Sequence, residues 1–252
     1  SDIRGFTSMS ERMVPIEVVK TLNEYFDLMI DVVFQHNGTL DKIIGDALMV
    51  IYGAPIPGHD DTHRALLTAL EMQNLLIDFN SVRKEKGLAP VEIGIGLNRG
   101  KAIAGNIGSK DQMNYTVIGD AVNVSARLCS HAEAGQILVS ESVVKEVELS
   151  GLYVFEGLDP IKVKGKAQAL PIFALQGCIA SKRVIGVYDR VVGGLLRDLS
   201  KDLLYHCLGH TLDVFRQAYR LALAEKCTPT EVELVLVAAL FHDTGFLINA
   251  EG

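Results

Sequence analysis

Leu40-Asp-Lys-Ile-Ile-Gly-Asp-Ala-Leu-Met-Val-Ile-Tyr-Gly53 sets a cation, Lys42, and a carboxylate, Asp46, on either side of a glycine between two β-rich apolar runs. Ionised groups in such surroundings are costly unless they are paired or hold a metal or a ligand. The stretch therefore reads as a hairpin that carries a site, with strands over Thr39 to Ile43 and Ala47 to Tyr52 and a turn at Ile44-Gly45.

Working outward, Val14, Val18, Leu22, Phe26, Met29 and Val33 recur at steps of three and four, the apolar stripe of an amphipathic helix that should end near Asn37-Gly38. Pro55, Pro57 and Gly58 break the pattern before a second long helix, roughly Asp61 to Val82. Val91 to Leu97 and Gln112 to Ile118 are expected to pair as an antiparallel hairpin across Gly108-Ser109-Lys110. Ala121 to Ala132 reads as a helix and Ile137 to Val139 as a short strand. Leu152 to Phe155, Ile161 to Lys164 and Ile172 to Leu175 are further strand candidates. The order β-α-β-β-α-β with additions predicts an α+β domain, helices on one face of an antiparallel sheet. Its first strand is expected to be missing, because Asp2-Ile3 would form the end of it.

From Cys178 onward the texture becomes almost purely helical, through Val184 to Leu199, Thr211 to Glu225 and Glu231 to His242. Thr228-Pro-Thr-Glu231 reads as a helix start, with Thr228 as the cap, Pro229 at the first helical position and Glu231 three residues after the cap. Three segments are expected: a first domain over 1–176, a helical connector over 177–199, and a second, all-helical unit over 200–252.

With 48% hydrophobic and 22% charged residues, the 252-residue chain can bury a real core. A net charge of −7 argues against a nucleic-acid-binding surface, which would cluster basic residues. Cys129, Cys178, Cys207 and Cys227 lack the short paired spacing of a zinc ribbon or a disulfide framework, so a reducing, cytoplasmic setting is the expectation. No apolar run is long enough to span a bilayer, and no signal peptide is visible. The chain opens at Ser1 inside a motif and reads as an excerpt, so a membrane anchor elsewhere stays open. Gly94, Gly96 and Gly100 do not make a dinucleotide fingerprint, since Arg99 stands where the third glycine would fall. The cluster His59-Asp60-Asp61-Thr62-His63 reads as an exposed helix start with acidic first-turn residues.

Three separated segments remain: Ser1-Asp-Ile-Arg-Gly-Phe-Thr7, the Lys42/Asp46 hairpin, and Asn114-Tyr-Thr-Val-Ile-Gly-Asp-Ala-Val-Asn-Val-Ser-Ala-Arg127. Together, in this order and at these separations, they resemble the catalytic domain of class III nucleotide cyclases, of the adenylyl type. The resemblance implies a ferredoxin-like βαββαβ domain. It also implies that Asp2 and Asp46, with the backbone carbonyl of Ile3, hold two Mg²⁺ or Mn²⁺ ions per active site. Magnesium is a hard ion held by carboxylates and substrate phosphates, which suits those ligands. Paired metals could activate the ribose 3′-hydroxyl and hold the triphosphate for an in-line displacement that expels pyrophosphate.

Lys42 and Thr116 match the positions that read the purine. Lysine can only donate, so Lys42 suits adenine N1, and the Thr116 oxygen can accept from adenine N6. Guanylyl relatives carry an acidic residue at the lysine position, so ATP is the expected substrate. Asn123 and Arg127, one helical turn apart, match the residues that orient the ribose and stabilise charge on the transferring phosphate. Lys164, or its neighbour Lys166, resembles a lysine that contacts the β/γ-phosphates. Metal, purine and transition-state residues all lie in one chain, so a homodimer with two equivalent sites is implied. The Lys/Thr pair also resembles bacterial cyclases that respond to bicarbonate.

In the helical unit, His210 and the tandem His242-Asp243 resemble the metal signature of the HD phosphohydrolase superfamily, which implies a divalent transition metal. The chain ends before that family's final aspartate, so this reads as a truncated HD-like unit, and His206, one turn before His210, could be a supporting group. Two other functions are open to the sequence: a catalytically silent nucleotide-binding and dimerisation sensor, or an HD-type phosphohydrolase regulated by the cyclase-like domain.

Overall fold

The computed structural model describes residues 1–58, 60–110, 113–162, 169–198, 208–242 and 244. The chain divides into two compact units, Ser1–Glu146 with Phe155–Gly177, and Val147–Val154 with Cys178–Gly252. No described helix is long and apolar enough to cross a membrane.

The first unit runs β1 (Asp2–Ile3), α1 (Phe6–Ser10), α2 (Pro15–Gln35), β2 (Thr39–Ile44), β3 (Ala47–Ile51), α3 (Asp61–Glu85), β4 (Ile93–Leu97), β5 (Ile103–Gly108), β6 (Met113–Ile118), α4 (Asp120–His131), β7 (Ile137–Ser140) and α5 (Glu141–Val147). β8 (Tyr153–Ile161) and β9 (Leu170–Cys178) then complete a five-stranded sheet in the order β1-β4-β7-β9-β8. β2–β3 and β5–β6 form separate hairpins. The α+β class is as expected, but the sheet is mixed. β1 pairs antiparallel with β4, β4 parallel with β7, and β7 antiparallel with β9. A parallel neighbour requires a crossover, and the segment from β5 through α4 supplies it.

Two local expectations are corrected. β6 does not pair with β4. Its antiparallel partner is β5, a strand that the sequence reading passed over as loop because Gly105 and Gly108 lower its β-propensity. The hairpin turn is Gly45-Asp46 rather than Ile44-Gly45, with Ile44 on the strand opposite Ala47 and Gly45 at φ 65°, so Asp46 stands at the tip.

In α2 the buried face is Thr21, Tyr25, Met29, Val32 and Val33. Only two of the six stripe positions, Met29 and Val33, are inside, whereas Val14 is the exposed helix cap and Val18, Leu22 and Phe26 lie at the margin. β4 alternates Ile93 and Ile95 with Gly94 and Gly96. A Cβ at Gly96 would fall on the Cys129 backbone nitrogen and the Ser125 carbonyl, so this glycine sets how closely α4 lies on β4. Val124 and Leu128 of α4, with Ala132 at its C-terminal cap, close over Leu138, Ile172 and Ala174 of the sheet. Burial of a side chain such as Leu128 contributes roughly 1.5–3 kcal/mol.

The second unit contains α6 (Lys182–Asp198), α7 (Leu208–Ala224) and α8 (Pro229–Phe241). Its buried groups include Ile185, Tyr188, Phe215, Leu236 and Leu240, and the Tyr188 and Phe215 rings meet edge to face at 5.6 Å. α8 starts as its sequence predicts. Glu231 Oε2 accepts the Thr228 backbone N–H at 2.7 Å, and the Thr228 hydroxyl oxygen accepts the Glu231 N–H at 3.4 Å.

Candidate active site

The Gly45-Asp46 tip meets β1. The Ser1 amino group donates to the Leu48 carbonyl at 3.0 Å, and the Leu48 N–H donates to the Ser1 carbonyl at 2.9 Å, which zips the start of the chain onto β3. Asp2 and Asp46 are thereby brought together. The Asp46 carboxyl is pushed above the ordinary carboxylate range, first by burial and then by the charge of Asp2, against hydrogen bonding from its own N–H and that of buried Ile3. Arg4 Nη2 lies 2.6 Å from Asp2 Oδ2 and answers part of the negative charge. A carboxylate whose proton affinity is raised by a neighbouring carboxylate favours a cation, and an all-oxygen donor set suits a hard divalent ion. Behind them lies Tyr25, fully buried, its hydroxyl 3.5 Å from Ser1 Oγ. Burial, with smaller contributions from Cys129, Asp2 and Asp46, pushes the Tyr25 hydroxyl well above the ordinary tyrosine pKa, so it stays protonated. Arg4 and Tyr25 were not singled out from sequence.

On the same hairpin, β2 carries a bulge: Leu40 faces Val50 and Lys42 faces Met49, so Asp41 is the extra residue. In a regular strand, neighbouring side chains point to opposite faces. The bulge lets Asp41 and Lys42 reach the same group, Thr116 on β6. Lys42 Nζ donates to Thr116 Oγ1 at 3.0 Å, Thr116 Oγ1 donates to Asp41 Oδ2 at 3.0 Å, and Lys42 Nζ lies 3.1 Å from that same oxygen. Lys42 and Thr116, 74 residues apart, are thus in direct contact. Asp41 has a side chain 0% exposed and was missed from sequence, because strand alternation assigns it to the face opposite Lys42.

Asn123 and Arg127 project from one face of α4, Asn123 exposed and Arg127 half-buried. Asn98 Nδ2 donates to the Ala121 carbonyl at 3.0 Å and ties the start of α4 to the segment after β4. The carboxylates, the Lys42/Thr116 pair and the Asn123/Arg127 pair form three groups, with no hydrogen bond or ion pair joining one to another among the described residues. Lys164, Lys166, His59, His206 and Asp243 lie outside the described residues. In the helical unit, the His210 and His242 rings meet at 5.2 Å between centroids, and His242 Nδ1 lies 2.7 Å from the Ala239 carbonyl, which orients that ring. No group of three or more His, Cys, Asp or Glu side chains able to hold a metal occurs among the described residues.

Comparison with known proteins identifies two families along the chain. The family described as the adenylate and guanylate cyclase catalytic domain matches residues 1–177, and the HD domain family matches residues 207–248. An adenylate cyclase of Anabaena cylindrica is 37% identical over 182 residues, which cover 69% of this chain and 35% of that protein. The chain therefore spans about a third of the length of this relative. The adenylyl cyclase CyaB from P. aeruginosa superposes with a TM-score of 0.68 at 31% identity, over 72% of this chain and 92% of that one. The guanylyl cyclase Cya2 superposes with a TM-score of 0.65 at 38% identity, over 70% and 89%. Both nucleotide specificities thus occur on closely similar folds, and specificity must be argued from side chains. With the family match spanning residues 1–177 and the same fold in solved cyclases, this chain belongs to the adenylate and guanylate cyclase catalytic domain family.

Proposed function

We propose that this chain is an adenylyl cyclase that converts ATP to 3′,5′-cyclic AMP and pyrophosphate, at two equivalent sites formed between two copies. The observation that carries the substrate assignment is the contact between Lys42 Nζ and Thr116 Oγ1 at 3.0 Å. An ammonium beside a hydroxyl oxygen presents a donor next to an acceptor, the complement of adenine N1 and N6. Guanine would set its N1 hydrogen against the ammonium, leaving polar groups unpaired at about 1–3 kcal/mol each.

Asp2 and Asp46, with the Ile3 carbonyl, would hold two Mg²⁺ or Mn²⁺ ions, which when bound supply the charge that acidifies the ribose 3′-hydroxyl and neutralises the triphosphate. Asn123 would orient the ribose, and Arg127 would hold the α-phosphoryl oxygens as the 3′-oxygen bonds to phosphorus and the bond to pyrophosphate breaks. Lys164 would bind the departing phosphates. In the helical unit, His210, His242 and Asp243 would belong to a separate divalent-metal site.

The two hairpins support assembly of two copies. Ile44, Ile103, Met113 and Ile118 are 58%, 75%, 59% and 54% exposed, a concentration of large apolar groups more typical of an interface than of solvent-facing surface. Asp46 would then serve the metals of one site while Lys42, four residues away on the same hairpin, reads the base in the other.

The test is cyclic nucleotide formation by the purified chain with Mn-ATP and Mn-GTP. Cyclic AMP formation with ATP preferred is expected, and Lys42→Glu should lower that preference by about a hundredfold. A wild-type preference for GTP contradicts the assignment, as does nucleotide binding without turnover.

A further inference from the structure

We propose that Asp41 is a positioning residue for nucleotide choice: it locks the Thr116 hydroxyl as a hydrogen-bond acceptor and so excludes guanine. This rests on the adenylyl reading above and adds a residue to it. A threonine hydroxyl by itself is indifferent, since it can accept from adenine N6 or turn and donate to guanine O6. Here its proton is committed. Thr116 Oγ1 donates to Asp41 Oδ2 at 3.0 Å, and a carboxylate can only accept. One lone pair of Thr116 is used by Lys42 Nζ at 3.0 Å. The other lone pair is what Thr116 has left to offer a base, and it matches an amino group and opposes a carbonyl.

The same oxygen disciplines Lys42. One ammonium donor is directed to Thr116, and the ion pair with Asp41 Oδ2 at 3.1 Å holds the ammonium in place, with donors left for a ring nitrogen. The placement of Asp41 is unlike that of a residue kept for the bulge itself. An aspartate that stabilises irregular backbone bonds nearby N–H groups. The Asp41 carboxylate instead sends its contacts to Lys42 and Thr116, while its second oxygen, Oδ1, is buried with no hydrogen bond among the described residues, a costly arrangement for a fully buried side chain. Thr116 is 8% exposed, so solvent offers little competition for the same hydroxyl.

The test measures kcat/KM for ATP and for GTP with the full chain as wild type, Asp41→Asn, Thr116→Val and the double variant. Asp41→Asn keeps the volume but adds donors and frees the threonine proton. The ATP/GTP ratio should fall about tenfold, the effect of one well-placed hydrogen bond. In the Thr116→Val background, the same change should move the ratio less than about twofold, because the hydroxyl it acts through is gone. Equal loss of both activities with an unchanged ratio overturns the proposal, and so does the same fold-change in both backgrounds. If Asp41→Asn does not fold, Asp41→Ser is assayed instead. Failure of both to fold, with Thr116→Val folded, also overturns it, since Asp41 would then serve the fold. Wild-type preference for GTP removes the adenylyl reading itself, whereas ATP preference with an unmoved ratio removes this proposal alone.

Discussion

At the scale of single residues, Asp46 shows how a carboxylate proposed to hold a cation weighs on the fold that carries it. Its carboxyl is pushed up by burial and by Asp2, so the folded state holds a proton more tightly than the unfolded chain does. The sign follows: the stabilising contribution is present at acid pH and is lost as pH rises through the raised folded value. In metal-free buffer, Asp46→Asn should therefore raise the thermal midpoint at neutral pH, and the gain should shrink as pH falls through the carboxylate range. Melting curves from pH 4 to 8 in chelator check this, and saturating Mn²⁺ should reverse the order by stabilising wild type alone. The motifs in the sequence single out Asp2, Lys42, Asp46 and Thr116, and the fold brings Asp2 to Asp46 and Lys42 to Thr116. Asp41, Arg4 and Tyr25 are not singled out, because their roles depend on a bulge and on packing that no periodicity reveals.

At the scale of elements, the position of α4 depends on the absence of one methyl group. Gly96→Ala would drive a Cβ into the Ser125 carbonyl and the Cys129 nitrogen, backbone atoms that cannot swing away. It should cost about 1–3 kcal/mol in urea unfolding and displace Asn123 and Arg127 enough to lower kcat. Gly105→Ala on β5, where a Cβ would meet nothing within 4 Å, should stay within about 0.5 kcal/mol of wild type. The cap of α8 gives a second prediction. Thr228→Ala should cost ~1 kcal/mol in the helical unit. The Thr228 N–H, and then its hydroxyl, hold the Glu231 carboxyl below the ordinary range, so the Glu231 contribution is present at neutral pH and lost as pH falls through the depressed value. Amide exchange in α8 should accelerate in Glu231→Ala at pH 7 and match wild type in strong acid. Local rules read this cap and the three described helices of the second unit, α6, α7 and α8, directly from sequence. They failed at β5, where the β6 partnership outweighs the low strand propensity of Gly105 and Gly108.

At the scale of the whole molecule, the proposed dimer divides the labour of one hairpin between two active sites. Asp46 at its tip and Lys42 on its bulged strand lie four residues apart, yet Lys42 is directed to Thr116 and Asp46 to Asp2. If the two serve different active sites, neither Asp46→Ala nor Lys42→Ala homodimers can make cyclic AMP, but a heterodimer of the two has one site with both defects and one with neither. Mixing the two inactive chains under conditions that exchange subunits, and assaying cyclic AMP from Mn-ATP, tests this most directly. The account predicts recovery to about a quarter of the wild-type rate, because half the dimers are mixed and each has one working site of two. No recovery, with mixed dimers demonstrated in the same sample, would contradict it.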